Sequence, residues 1–227
     1  MSKLEIYLTE IEDFLKKFKP SIPSISNGIH SAKVKSSYKQ FHALLVWGLV
    51  FDQSNGSESA KSLYFKECLS DISHAYFLNL CSLYKSSRSS LRSGIENIIR
   101  VSLFEKEVDV TKIVSVFDLF AAAKSVYKAD IVAHGLIVKL NNIYGELCKS
   151  VHSSNIDYLS LSVPFEKLSD FNEEQFLTEN ERLREVCAVV NQCAFWWWDS
   201  KLAVAGHSNE DMVRDAVPRA IKRAKVT

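Results

Sequence analysis

The sequence predicts an all-α fold, an up-and-down bundle of about six to eight helices. Two observations carry that expectation. Only seven Gly and four Pro occur in 227 residues, which leaves little material for long loops or β-turns. In each long segment the apolar residues return at steps of three and four, the spacing that gathers them on one helical face. The length suffices to bury a core without disulfide or metal staples. No repeat or composition shift divides the chain, so a single domain over 1–227 is expected. Its core should lie at 58–206, with N-terminal helices over 3–51 and a basic C-terminal helix or tail over 208–227.

Leu4, Leu8, Ile11, Leu15 and Phe18, with Glu and Lys between them, predict an amphipathic first helix closed by Pro20, followed by a connector over 19–28. Tyr38, Phe41, Leu45 and Gly48 or Leu49 predict a second helix over 34–51, ending at DQSNGS. From Glu58 the stripe Phe65, Leu69, Ile72, Tyr76, Leu80 and Leu83 predicts a long core helix. The next helix presents Leu91, Ile95, Ile98 and Ser102, with serines around position 86 as N-cap, and should pack antiparallel to its predecessor. Residues 105–112 read as a loop or a brief extended piece, and a short helix follows over 113–127. Asp130 caps a helix whose core face is Leu136, Leu140, Ile143, Leu147 and Val151, running to His152. A loop with Pro164 precedes one long helix over 173–205, stopped by Gly206, and a last short helix starts near Asn209 or Pro218.

A net charge of +1 gives the chain as a whole no signature of a nucleic-acid or membrane binder, so any such role must come from a local patch. Cys68, Cys81, Cys148, Cys187 and Cys193 are odd in number and far apart, and they read as reduced core residues of a cytosolic protein. There is no CxxC pair and no HExxH, hence no support for a metal site. His30, His42, His74, His134 and His207 have no partners at metal-ligand spacing. Neither a glycine-rich phosphate loop nor GxSxG occurs, so nucleotide hydrolysis and acyl transfer have no motif and no cofactor is implied. The first residues lack the charged head and apolar stretch of a signal peptide, and charged or Asn residues interrupt every apolar window before the roughly 18 residues that a membrane span needs. A cytoplasmic protein without a membrane partner is expected.

Polar residues stand in rows on two of the predicted helices. Arg88, Arg92 and Glu96 are four apart beside one apolar stripe, and Tyr144, Cys148 and His152 are four apart beside another. The segment LYKSSRSSLRSGIENIIR, followed by IYGELCKSVHSS, resembles the paired signature of HEPN-like families, in which a helix of the type LRSxxE packs against one ending YxELSxxVHG. The resemblance covers about residues 60–155. It implies a helical bundle that acts as a homodimer or as a subunit of a protein complex in prokaryotic anti-phage defence, and in the catalytic members an RNA-cleaving activity without metal. Those members carry Arg, four to six residues, then His, so that guanidinium and imidazole together handle the phosphate and the moving proton. Here Gly145, Glu146 and Leu147 occupy the positions that such an Arg would take before His152, and no arginine precedes any histidine by that interval. Two readings follow. Arg88 or Arg92 fills the role across the helix pair, with Glu96 and Tyr144 in attendance on His152, or Arg92, Glu96, Tyr144 and His152 converge as a polar seam that closes on itself.

Two further features lie near the C-terminus. Trp196, Trp197 and Trp198 cover most directions around a helix, so one ring faces away from the core. It serves either as an anchor for a dimer or partner interface, or as a plug in a groove of the same chain. Arg219, Lys222, Arg223 and Lys225 form the one basic cluster. They can contact a nucleic-acid backbone, or act as solvated cations at the negative end of a helix dipole.

Overall fold

The computed structural model describes Thr9 and residues 32–55, 59–151 and 171–226. Among these are eight α-helices and no strand: α1 Ala32–Asn55, α2 Ala60–Leu80, α3 Tyr84–Phe104, α4 Val116–Val126, α5 Ile131–Val151, α6 Glu173–Trp198, α7 His207–Ala216 and α8 Arg219–Val226. The expected all-α bundle is the observed one. The first helix read from the sequence, over 4–18, lies outside the described residues apart from Thr9, as do His152 and the loop with Pro164.

The contacts set the directions. Lys66 meets Asp52 at 2.9 Å and Tyr76 stacks on Phe41, so α1 and α2 run antiparallel. Ser37 donates to Asn180 at 2.8 Å near one end of α1, and Trp47 meets Trp198 at 6.2 Å toward the other, so α1 and α6 run in the same direction. The two ends of the bundle differ in chemistry. At one, Trp198 packs edge-on to Phe51 (4.4 Å) and Phe65 (5.3 Å), and its Nε1 donates to Glu105, which also receives Lys61. At the other, buried Ser37, Asn79, Ser87, Glu179 and Asn180 gather polar groups between the helices.

α2 and α3 are joined by three residues, with Ser82 at φ 62° reversing the chain. The expected serine cap of α3 is absent: the cap position is Leu83, without a side-chain bond, and Ser87 instead donates to the Ala75 carbonyl of α2. A hydroxyl facing a neighbouring helix is better satisfied there than at its own terminus. Asp130 does cap α5, accepting from the Ala133 amide.

Three other boundaries depart from expectation. Residues 105–112 contain a 3-10 turn, Val110–Lys112, capped by Asp109. The long final helix breaks at Trp198, whose φ −134° and ψ 16° leave the α region, and continues as a 3-10 segment, Asp199–Ala205, that carries Leu202 into the core. Beyond Gly206 (φ 81°) stand two helices, because Val217, directly before Pro218, is held extended.

α3 lies at the centre. Gly94 permits a close approach of α3 to α2, since a Cβ there would meet Ile72 at 3.1 Å and the Cys68 carbonyl oxygen at 3.5 Å. Gly145 on α5 has open space around it. Gly94→Leu should therefore lose about 1–3 kcal/mol through overpacking, whereas Gly145→Ala should gain up to about 1 kcal/mol from helix propensity. Urea unfolding followed by circular dichroism measures both, and equal effects would show that the α2–α3 contact is not tight.

Candidate functional site

The candidate site is where the first half of α3 meets α5 and α6. α3 is buried on most sides, so its arginines leave the core only where another element offers an acceptor. Arg92 donates from Nη2 to the Tyr144 hydroxyl at 3.0 Å, and that hydroxyl donates to Glu96 Oε1 at 2.7 Å. The guanidinium also lies 5.1 Å from the Tyr144 ring centroid, and Phe120 of α4 backs the ring at 5.5 Å. Arg92, Glu96 and Tyr144 thus converge as their four-residue spacing predicts, on helices of opposite direction. Arg92 Nε is buried without a hydrogen-bond partner among the described residues.

The electrostatics follow from this chain of bonds. Burial pushes the Tyr144 hydroxyl up to about 12, and its bond to the Glu96 carboxylate pushes the same way against the pull of Arg92. For Arg92, burial lowers the pKa, but the Tyr144 bond and the nearby Cys148 and Glu96 outweigh it and hold the guanidinium above its ordinary value. The hydroxyl is therefore a neutral relay between a fixed cation and a carboxylate.

Arg88 does something else. One turn before Arg92 it turns to α6 and grips Glu179 with both ends of its fork, Nε to Oε2 at 2.9 Å and Nη2 to Oε1 at 2.5 Å. Arg182 adds a third bond to Glu179 at 2.8 Å. Glu179 is 2% exposed while Arg88 is 15% and Arg182 39% exposed, so the carboxylate sits inside and its cations lead outward. Sequence reasoning missed Glu179. The signal was present: Glu179 and Asn180 stand between Phe176 and Leu183 on the buried line of α6, and a polar pair on an apolar stripe must find partners. Asn180 finds Ser37 and the Lys33 carbonyl.

The chain's terminal features are taken up largely within it. Trp198 is buried in the aromatic end. Trp197 leans on Tyr127 at 5.9 Å, and Trp196 donates to Asp130 at 2.8 Å beneath Lys225. No ring of the three stands among the exposed hydrophobic residues. Of the basic cluster, Lys222 donates to the Arg214 carbonyl and Lys225 to that of Trp196, while Arg219 and Arg223 are exposed. Among the described residues no group of His, Cys, Asp and Glu can hold a metal ion, and no helix is long and apolar enough to cross a membrane.

No family model, curated protein or solved structure matches this chain.

Two measurements separate the arginines. Arg88→Ala leaves a buried carboxylate with Arg182 alone and should cost about 3 kcal/mol, near the lower bound for breaking a buried pair. Arg92→Ala exposes groups that water already reaches and should cost less, about 1–2 kcal/mol. Equal losses would contradict the difference in burial. For Tyr144, a folded-state pKa raised from the usual 10 to about 12 means that the unfolded chain releases the proton first. Its contribution is whole below about pH 10 and disappears as pH rises to about 12. Tyr144→Phe should flatten the alkaline fall in unfolding free energy over that window, and an unchanged slope would show that Tyr144 is not the group responsible.

Proposed function

We propose that this chain is a non-catalytic HEPN-like helical protein that works by assembly, with a second copy or with partner subunits, in prokaryotic anti-phage defence. The observation that supports a non-catalytic reading is the engagement of both candidate cations: Arg88 is clamped on Glu179, and Arg92 is bonded to Tyr144. A guanidinium that binds phosphate in a transition state must be able to point at it, and these two are held by acceptors of the same chain. The assembly and defence roles rest on the sequence resemblance alone.

One observation favours a second reading, a metal-independent endoribonuclease. Among the described residues Arg92 Nε has no hydrogen-bond partner, and it lies beside Tyr144 in the C-terminal part of α5, with His152 following Val151 in the sequence. One assay separates the two readings. Purified protein incubated with labelled tRNA and total RNA in EDTA should leave the RNA intact. Cleavage that disappears in His152→Ala and in Arg92→Ala, with the fold retained, would reverse the order.

A further inference from the structure

Exposed cations from three separate segments stand around the turn that joins α4 to α5. Lys106, just past α3, lies 5.2 Å over the Tyr127 ring, and Tyr127 rests on Trp197. Lys128 is the next residue of that turn and is exposed. On the other flank of the turn Asp130 receives Trp196 Nε1, and Lys225 of α8 lies 5.0 Å over the Trp196 ring. Lys225 donates to the Trp196 carbonyl and Lys222 to that of Arg214, so these two anchor α8 on the bundle. Arg219 and Arg223, four apart on one row, are exposed on the outward side of that helix. We propose that Lys106, Lys128, Arg219 and Arg223 form a binding surface for the phosphate backbone of a nucleic acid.

The charge balance of this surface differs from that of the other helices. Elsewhere surface cations meet carboxylates, as Lys139 does Glu185, Arg184 Glu181 and Arg214 Glu210. Among the described residues Lys106, Lys128, Arg219 and Arg223 form no ion pair. Three carboxylates of the region are already engaged: Asp130 by Trp196 Nε1 and the Ala133 amide, Glu105 by Lys61 and Trp198 Nε1, and Asp199 by Lys225 at 3.7 Å. Glu107 and Asp215 are exposed as well, and they do not cancel four outward cations. Cations from three segments suit a polyanion of regular charge, and the guanidinium forks of Arg219 and Arg223, about 6 Å apart along the axis of α8, can each take a phosphate. An anionic membrane would ask for an apolar helix face to bury, whereas Ile221 of α8 is packed against the core. This inference is independent of the proposed function, since backbone contacts position a nucleic acid without cleaving it.

Fluorescence anisotropy of the full chain with labelled single-stranded RNA and with duplex DNA, each about 30 nucleotides long and of mixed sequence, tests the surface over a salt series. The expected result is binding to at least one of the two that weakens steeply with salt and does not depend on base sequence. Arg219→Gln with Arg223→Gln should lower the slope of log affinity against log salt by about 1.4–1.8, the share of two phosphate contacts. Lys106→Gln with Lys128→Gln, more than ninety residues away in the sequence, should lower it by a similar amount, and the two pairs together should abolish binding. All four side chains are exposed, so each variant should keep the wild-type melting temperature. A control pair, Lys33→Gln with Lys35→Gln, lies at the opposite end of α6, where the Lys33 carbonyl receives Asn180, and should change the slope little. Four results would overturn the proposal: no binding up to about 100 μM at low salt, an effect confined to the α8 pair, an equal effect of the control pair, or binding to phosphatidylserine vesicles in place of both nucleic acids.

Discussion

The bundle depends on one requirement: each arginine of α3 must find an acceptor at the point where it leaves the core. α3 touches α2, α4, α5 and α6 and carries Arg88, Arg92 and Arg100 among buried residues. Arg88 is met by Glu179, Arg92 by Tyr144, and Arg100 by the carbonyls of Val110 and Ile113, with its guanidinium over the Tyr64 ring. A single unmatched cation in such a helix costs more than most apolar contacts contribute. The arginines therefore specify which neighbours α3 can have and in what register. Overlapping apolar faces alone would tolerate a slip.

The same logic explains the distribution of polarity along the bundle axis. At the aromatic end, Glu105 accepts from both Lys61 and Trp198 Nε1, so the large ring brings its own hydrogen-bond demand into the core and has it met. At the opposite end, Ser37, Asn180 and Glu179 are buried with partners assigned. Apolar packing supplies most of the adhesion between helices, while the polar contacts at the two ends oppose rotation of one helix against another.

These pairings also bear on chemistry. A guanidinium held by a two-point fork on a buried carboxylate is a structural group, whatever its position in a motif. A guanidinium on a tyrosine hydroxyl at the bundle surface keeps more freedom, and Arg92 Nε has no hydrogen-bond partner among the described residues. Arg88 and Arg92 stand one turn apart on one row, yet they differ in kind because α6 reaches the first and α5 the second.

The sequence by itself determined the helical class, the long stripes of α2, α3, α5 and α6, the cap at Asp130 and the shared row of Arg88, Arg92 and Glu96. Each follows from local periodicity, because residues four apart on a helix share a face whatever lies opposite. Only the tertiary structure decided that Arg88 leaves that row for Glu179, that α6 yields to a 3-10 segment at Trp198, and that all three tryptophan rings have cover within the chain. None of these is local: each depends on which element stands across the gap, in this chain a carboxylate on α6, the aromatic rings of α1 and α2 around Trp198, and Asp130 with Tyr127 beside Trp196 and Trp197. Periodicity states that a side chain faces inward, and the identity of what it meets there is a property of the assembled bundle.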